Sequence, residues 1–173
     1  MTHPEIDGSP LQQSYTLFNL VQSRAVKTTH QDSDTFIMKN KQLIDWVWAT
    51  LREAAWAPLS VVGFYAVGLM FHLFDKIPQM DIPTHFFGGI AITYFYRIAI
   101  KNSQGMLGNI PLPIQILLAF TATGTTAVFW EFYENTFDFL FHTHMVLGLF
   151  DTIKDLLDGI LGALVLSLFY RKR

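Results

Sequence analysis

Three short groups of acids and a histidine are the residues in this chain whose types and spacing could do chemistry. Asp151, Asp155 and Asp158 fall at i, i+4 and i+7, so a helix would set them on one face. Asp81 and His85 are four residues apart, and Glu131 and Glu134 three apart, which again gives one face each. Carboxylates with a histidine, contributed by several helices, are the donor set of metal sites inside helical bundles. Oxygen-rich ligation with one nitrogen suits Mg²⁺, Mn²⁺, Ca²⁺ or Zn²⁺. His85 or Glu131 would be the general base if such a metal activated a water. A proton-sharing acid network of the kind used in transport is a second use for the same residues. Pairing with Lys76, Lys154 and the histidines is a third.

The plain alternative for each acid is a solvated or capping residue at a helix end. The helix dipole favours acids in a first turn, which covers Asp151 well and Asp155 in part. It does not cover Asp158, about 10 Å further along the axis at 1.5 Å per residue. A simple acid–histidine contact would account for Asp81 with His85. His142 and His144 sit in a stretch that reads as a surface loop.

The surroundings of these groups are apolar. Hydrophobic residues make up 51% of the 173 positions and charged residues 15%, against about 25% in a soluble domain. The apolar residues gather into blocks of about 20, the length a bilayer core needs. Spans are expected at 54–74, 81–100, from 110 to 130 with a helical continuation toward 141, and 151–169. The fold class is therefore all-α, a polytopic membrane bundle of about four transmembrane helices. A soluble all-α protein would lack the polar surface to cover four such blocks. The net charge of −2 excludes nucleic acid as an obvious partner. With no cysteine, disulfides and thiolate metal sites are excluded.

Ahead of the spans, residues 1–35 read as a polar, mostly disordered tail, with a short helix possible at 15–21. No cleavable signal peptide is expected. Residues 36–53 place Leu43, Ile44, Val47, Trp48 and Leu51 on one arc, as an amphipathic interfacial helix would. Trp46 and Trp48 suit a membrane interface. Arg97 is expected to snorkel to the cytoplasmic side. The Thr121–Thr126 run with Gly124, and Gly88, Gly89, Gly159 and Gly162, read as close helix-packing faces.

Lys and Arg are concentrated before the first block, around 97–101 and at 171–173. By the positive-inside rule both termini and the second linker are cytoplasmic. Asp81, Glu131, Glu134, Asp151, Asp155 and their neighbours then meet near the outer face.

The segments Asp81-Ile-Pro-Thr-His85, Phe129-Trp-Glu131-Phe-Tyr-Glu134 and Asp151-Thr-Ile-Lys-Asp155-Leu-Leu-Asp158-Gly resemble those of the YjdF-type family of bacterial inner-membrane proteins. More distantly they are similar to VanZ-like proteins, which usually show Asn where this chain has Asp158. The resemblance covers roughly residues 54–170. It implies a small helical protein of the bacterial inner membrane with a polar outer-leaflet site, and no reaction comes with it.

Three functional readings follow. The first is a protein whose acid–histidine cluster holds a divalent cation or organises the bundle. The second is a metal-dependent hydrolase or transferase acting on a lipid or lipid-linked envelope substrate. The third is a small ion-coupled transporter, which four spans without an internal repeat would support only as a homo-oligomer. Membrane lipids are the expected surroundings in all three.

Overall fold

In the computed structural model, residues 38–169 are described, with the isolated positions 19 and 22. The tail at 1–35, the helix expected at 15–21 and the basic end at 171–173 fall outside the described residues. The chain divides into two units, Met1–Ile44 and Asp45–Arg173. Of the first, the described stretch 38–44 is helical and exposed. The second carries the site.

Helix α1 is Met38–Ala54. It is followed by α2 (Trp56–Met70), a single turn α3 (Leu73–Lys76), a 3-10 turn (Pro78–Met80), α4 (Asp81–Leu107), α5 (Leu112–Phe141) and α6 (Leu149–Phe169). Among the described residues there is no strand. The breaks have local causes. His72 and His142 take left-handed backbone, at φ 54° and 53°, and stop α2 and α5. Gly108, at φ 81°, stops α4. α4 therefore runs on to Leu107, past the end of the span expected at 81–100, because nothing before Gly108 breaks the helix. Pro111 precedes α5 and Pro113 falls in its first turn, where a missing N–H costs nothing.

α4 is the central helix, packed by α2, α5 and α6. Contacts along it give the directions. Val61 meets Gly88 and Trp56 meets Tyr94, so α2 runs opposite to α4. His85 lies by Glu131 and Thr93 by Thr123, so α5 runs opposite too. Asp81 lies by Lys154 and Phe86 by Gly162, so α6 runs the same way as α4. The start of α4, the later part of α5 and the start of α6 share one end of the bundle.

What is inside and outside is inverted relative to a water-soluble protein. The buried apolar residues are mostly alanines: Ala54, Ala57, Ala91, Ala99, Ala119 and Ala163. The buried polar set includes Thr93, Arg97, Thr123, Glu131, Glu134 and Asp155. Large apolar side chains such as Leu59, Phe129, Phe132 and Leu168 point outward, more than 60% exposed. Polar groups converge inside and hydrocarbon faces out, as lipid surroundings require.

One helix, Leu112–Phe141, is long and apolar enough among the described residues to cross a membrane alone. A second counts if α1 and α2, bent by 56° at their junction, act as one broken span. The expected count of four is not reached on composition. α4 and α6 have 27 and 21 residues, but they hold the polar residues of the cluster itself.

Several expectations are corrected. Arg97 does not snorkel; it is 1% exposed, because it continues the Gly89–Thr93 stripe at i+4 into the bundle. Trp46 ties α1 to α4, its indole N–H donating to the Ala99 carbonyl at 2.8 Å, which leaves the expected interfacial position as it stood. The stripe of α1 that packs is Trp46, Thr50 and Ala54, while Val47, Trp48 and Leu51 stay exposed. Gly124 has open space around it, so it is not a close-packing position. In the same run Thr123 and Thr126 bond Thr93 and Tyr96, while Thr121 and Thr125 are exposed.

Candidate functional site

The helix crossing that builds the site is made by absent side chains. A Cβ on Gly89 would overlap the Gly159 carbonyl, and one on Gly162 would overlap that of Phe86. With no Cβ in the way, α4 and α6 pack backbone to backbone. That closeness puts the first turn of α4 beside the first turns of α6.

Asp81 lies in the first turn of α4, and the helix period brings His85 over it, Nε2 to Oδ1 at 3.2 Å. Across the crossing, His85 Nε2 stands 4.0 Å from Asp155 Oδ2. Lys154 Nζ reaches back between the helices. It donates to Asp81 Oδ2 at 2.9 Å and Asp155 Oδ1 at 2.7 Å, and lies 3.5 Å from Asp151 Oδ1. The chain thus supplies its own cation to these carboxylates. Asp155 is 4% exposed, whereas Lys154 keeps a path to the surface.

α5 contributes the second half. Glu134 is 4% exposed, and its Oε1 accepts from Tyr65 Oη of α2 at 2.8 Å and from Trp130 Nε1 of its own helix at 2.9 Å. Glu131 is equally buried; its carboxyl has a side-chain hydrogen bond with Thr152, while its Oε2 has no hydrogen-bond partner among the described residues. A buried carboxylate oxygen left without a donor is costly, so it calls for a proton or a cation.

Two groups of potential ligand atoms result, Asp81–His85–Asp155 and His85–Glu131–Glu134, with the atoms of each within 4.8 Å of one another. His85 belongs to both. Metal–oxygen bonds of about 2.0–2.6 Å place two ligands of one ion at up to roughly twice that distance, so each group is spaced to hold an ion.

Five of the seven expected ligands are therefore gathered: Asp81, His85, Glu131, Glu134 and Asp155. Asp151 and Asp158 lie outside both groups. Asp151 accepts from the Leu147 N–H at 3.1 Å, a capping role at the start of α6. Asp158 has one buried oxygen without a partner among the described residues but sits a turn further along α6. Lys76 does not join the cluster; it donates to the Phe71 carbonyl at 3.2 Å. Exposed His142 and His144 stay outside both groups. Tyr65 and Trp130 were not anticipated as partners of Glu134. The signal for Trp130 was its i, i+4 spacing; Tyr65 had none beyond being a phenol inside an apolar block.

Fold and site together define an all-α protein of membrane type, with at least one candidate spanning helix and a buried acid–histidine cluster. Residues 46–173 match the family model described as "Predicted membrane protein (DUF2238)", and the chain belongs to that family. It is also similar to a Thermotoga maritima protein titled "Uncharacterized protein", 33% identical over 117 residues, which are 66% of this chain and 59% of that one. The chain thus spans about three-fifths of the length of that curated relative. No solved structure matches.

Proposed function

We propose that this is a multi-pass protein of the bacterial inner membrane that binds a divalent cation between α4, α5 and α6. In this reading α4, α5, α6 and the α1–α2 pair cross the bilayer, both chain ends are cytoplasmic, and the cluster lies toward the outer face. The YjdF-type resemblance is the finer family reading. The VanZ-like one stays a resemblance, with Asp158 standing against it. The outward-facing leucines and phenylalanines support the spans, and the lysines and arginines near 97–101 support the orientation.

One observation carries the cation: the buried Oε2 of Glu131, without a donor among the described residues, in a residue grouped with His85 and Glu134. His85 is the shared ligand, Glu131 and Glu134 complete one side, and Asp81 and Asp155 complete the other. An imidazole among carboxylates favours Mn²⁺ or Zn²⁺ over Mg²⁺ or Ca²⁺. Without the ion, Lys154 holds Asp81 and Asp155 together.

Elemental analysis after equilibration with Mn²⁺ or Zn²⁺ tests this. The wild-type chain retains a stoichiometric ion through gel filtration. His85→Ala and Glu131→Gln lose it, and Asp138→Asn, whose carboxylate bonds Thr143, Met145 and Val146 beyond the end of α5, keeps it. Equal metal content in the wild type and His85→Ala would remove the reading.

A further inference from the structure

Next to the cluster, between α2, α4 and α5, lies a cavity of about 110 Å³. Pro58, Val61 and Val62 of α2, Ile92 of α4 and Ala127 of α5 form its apolar walls. Its polar end reaches Tyr65, Trp130, His85 and Asp155. Val62 is 46% exposed, so the slot opens sideways between α2 and α5. Its size is of the order of the ~150 Å³ apolar cavity that takes up a benzene ring.

The donors around this slot are already in use. The Thr84, Thr123 and Thr126 hydroxyls on its wall each donate to a backbone carbonyl one turn back, those of Met80, Ala119 and Ala122, at 2.7, 2.9 and 2.9 Å. Tyr65 Oη and Trp130 Nε1 both donate to Glu134. An anion entering here would give up its hydration without finding these hydrogens free.

The acids, by contrast, are in surplus. Asp81, Asp155, Glu131 and Glu134 outweigh Lys154 and a divalent ion together by one charge. Without the ion, Asp81, Asp155 and Glu134 still outweigh Lys154 and a charged His85, even with Glu131 protonated. Asp151, 3.5 Å from Lys154, adds to the excess. The excess is therefore present with the ion or without it. At the same end the Tyr65 and Trp130 rings stand at 74° to each other, with centroids 5.2 Å apart. Aromatic faces attract a cation, and a quaternary ammonium in particular, which needs no hydrogen-bond acceptor. Such an ion would use the field of the acids and leave the Lys154–Asp155 bond in place.

We propose that the slot takes a hydrophobic quaternary ammonium ion from the bilayer. Its nitrogen sits at the Tyr65–Trp130 end and its hydrocarbon group lies against Val61, Val62 and Ile92. The source is a free organic cation and not the choline headgroup of a lipid, because the phosphate beside that headgroup would bring an anion back to the same acids. The proposal does not rest on the metal reading, since the excess of acid survives with the site loaded or bare.

Benzyltrimethylammonium is the probe, on the full chain in dodecyl maltoside. Neopentylbenzene, with carbon in place of the charged nitrogen, is the neutral comparison, and phosphocholine is the zwitterionic one. Calorimetry against protein-free micelles reads binding, with Mn²⁺ present and after EDTA. The cation is expected to bind about tenfold or more tighter than either comparison. The EDTA-treated chain should bind it at least as tightly as the Mn²⁺-treated one. Val62→Trp fills the slot from its open side and should weaken the cation by a similar factor, with an unchanged melting temperature as the sign that it is folded. Equal binding of the cation and neopentylbenzene overturns the proposal, and that comparison needs the wild type alone. Phosphocholine binding as tightly as the probe overturns the free cation as occupant. Binding that requires Mn²⁺, or a folded Val62→Trp chain that binds the probe as the wild type does, also overturns the site. A chain that retains no Mn²⁺ but still prefers the cation over both comparisons supports this site and removes only the metal reading.

Discussion

Gly89 and Gly159 face each other across the α4–α6 crossing with no room for a Cβ on Gly89. The contact lies one helical turn from His85 on α4 and from Asp155 on α6, so it sets the spacing between them.

Gly89→Ala forces the two backbones apart. Overpacking of this kind costs about 1–3 kcal/mol. The melting temperature in detergent should fall, and metal retention should fall with it as His85 and Asp155 separate. Gly63→Ala is the comparison, because its Cβ would meet open space. There the gain in helix propensity of roughly 0.5–1 kcal/mol predicts an unchanged or higher melting temperature.

Tyr65→Phe removes a buried donor to Glu134 and keeps the ring against Trp130. Trp130 Nε1 remains on the same oxygen, so Glu134 is not wholly stranded. Chemical or thermal unfolding should show a loss of about 1–3 kcal/mol, the usual range for a buried group deprived of a partner. A variant as stable as the wild type would mean that the phenol–carboxylate bond contributes nothing.

Lys154→Gln leaves Asp81 and Asp155 facing each other without their built-in cation. The metal-free chain should lose stability, while an added divalent ion should restore more than it does in the wild type. The measurement is the melting-temperature gap between metal-free and Mn²⁺-loaded protein. That gap should be wider in Lys154→Gln; a gap equal to the wild type's would show that Lys154 and the ion do not share these carboxylates.

Because the chain has no cysteine, orientation can be read from single-cysteine variants against a clean background. His144→Cys, exposed between α5 and α6, should react in intact cells with a membrane-impermeant maleimide. Asn109→Cys, exposed between α4 and α5, should react only after the cells are opened. The opposite pattern would invert the proposed topology.

The all-α class and the pairing of acids within each segment were legible in the sequence, because both depend on local order. Apolar block length and the i, i+4 spacing of Asp81 with His85 are properties of one helix at a time. The convergence of Asp81, His85, Glu131, Glu134 and Asp155 was also open to inference, once alternating helix directions were assumed. Which acids would be left out was not. Asp151 and Asp155 look alike in sequence, yet one caps α6 and the other is buried against His85. The rotation of α6 about its axis decides that, and Gly89, Gly159 and Gly162 set the rotation through backbone contact. Arg97 was misplaced for the same reason: distance from a helix end suggests snorkelling, but the face it occupies is fixed by packing. Tyr65 on Glu134, 69 residues away, and the slot between α2 and α5 belong to tertiary structure alone. Each depends on where two helices stop touching, and no periodicity within one helix carries that distance.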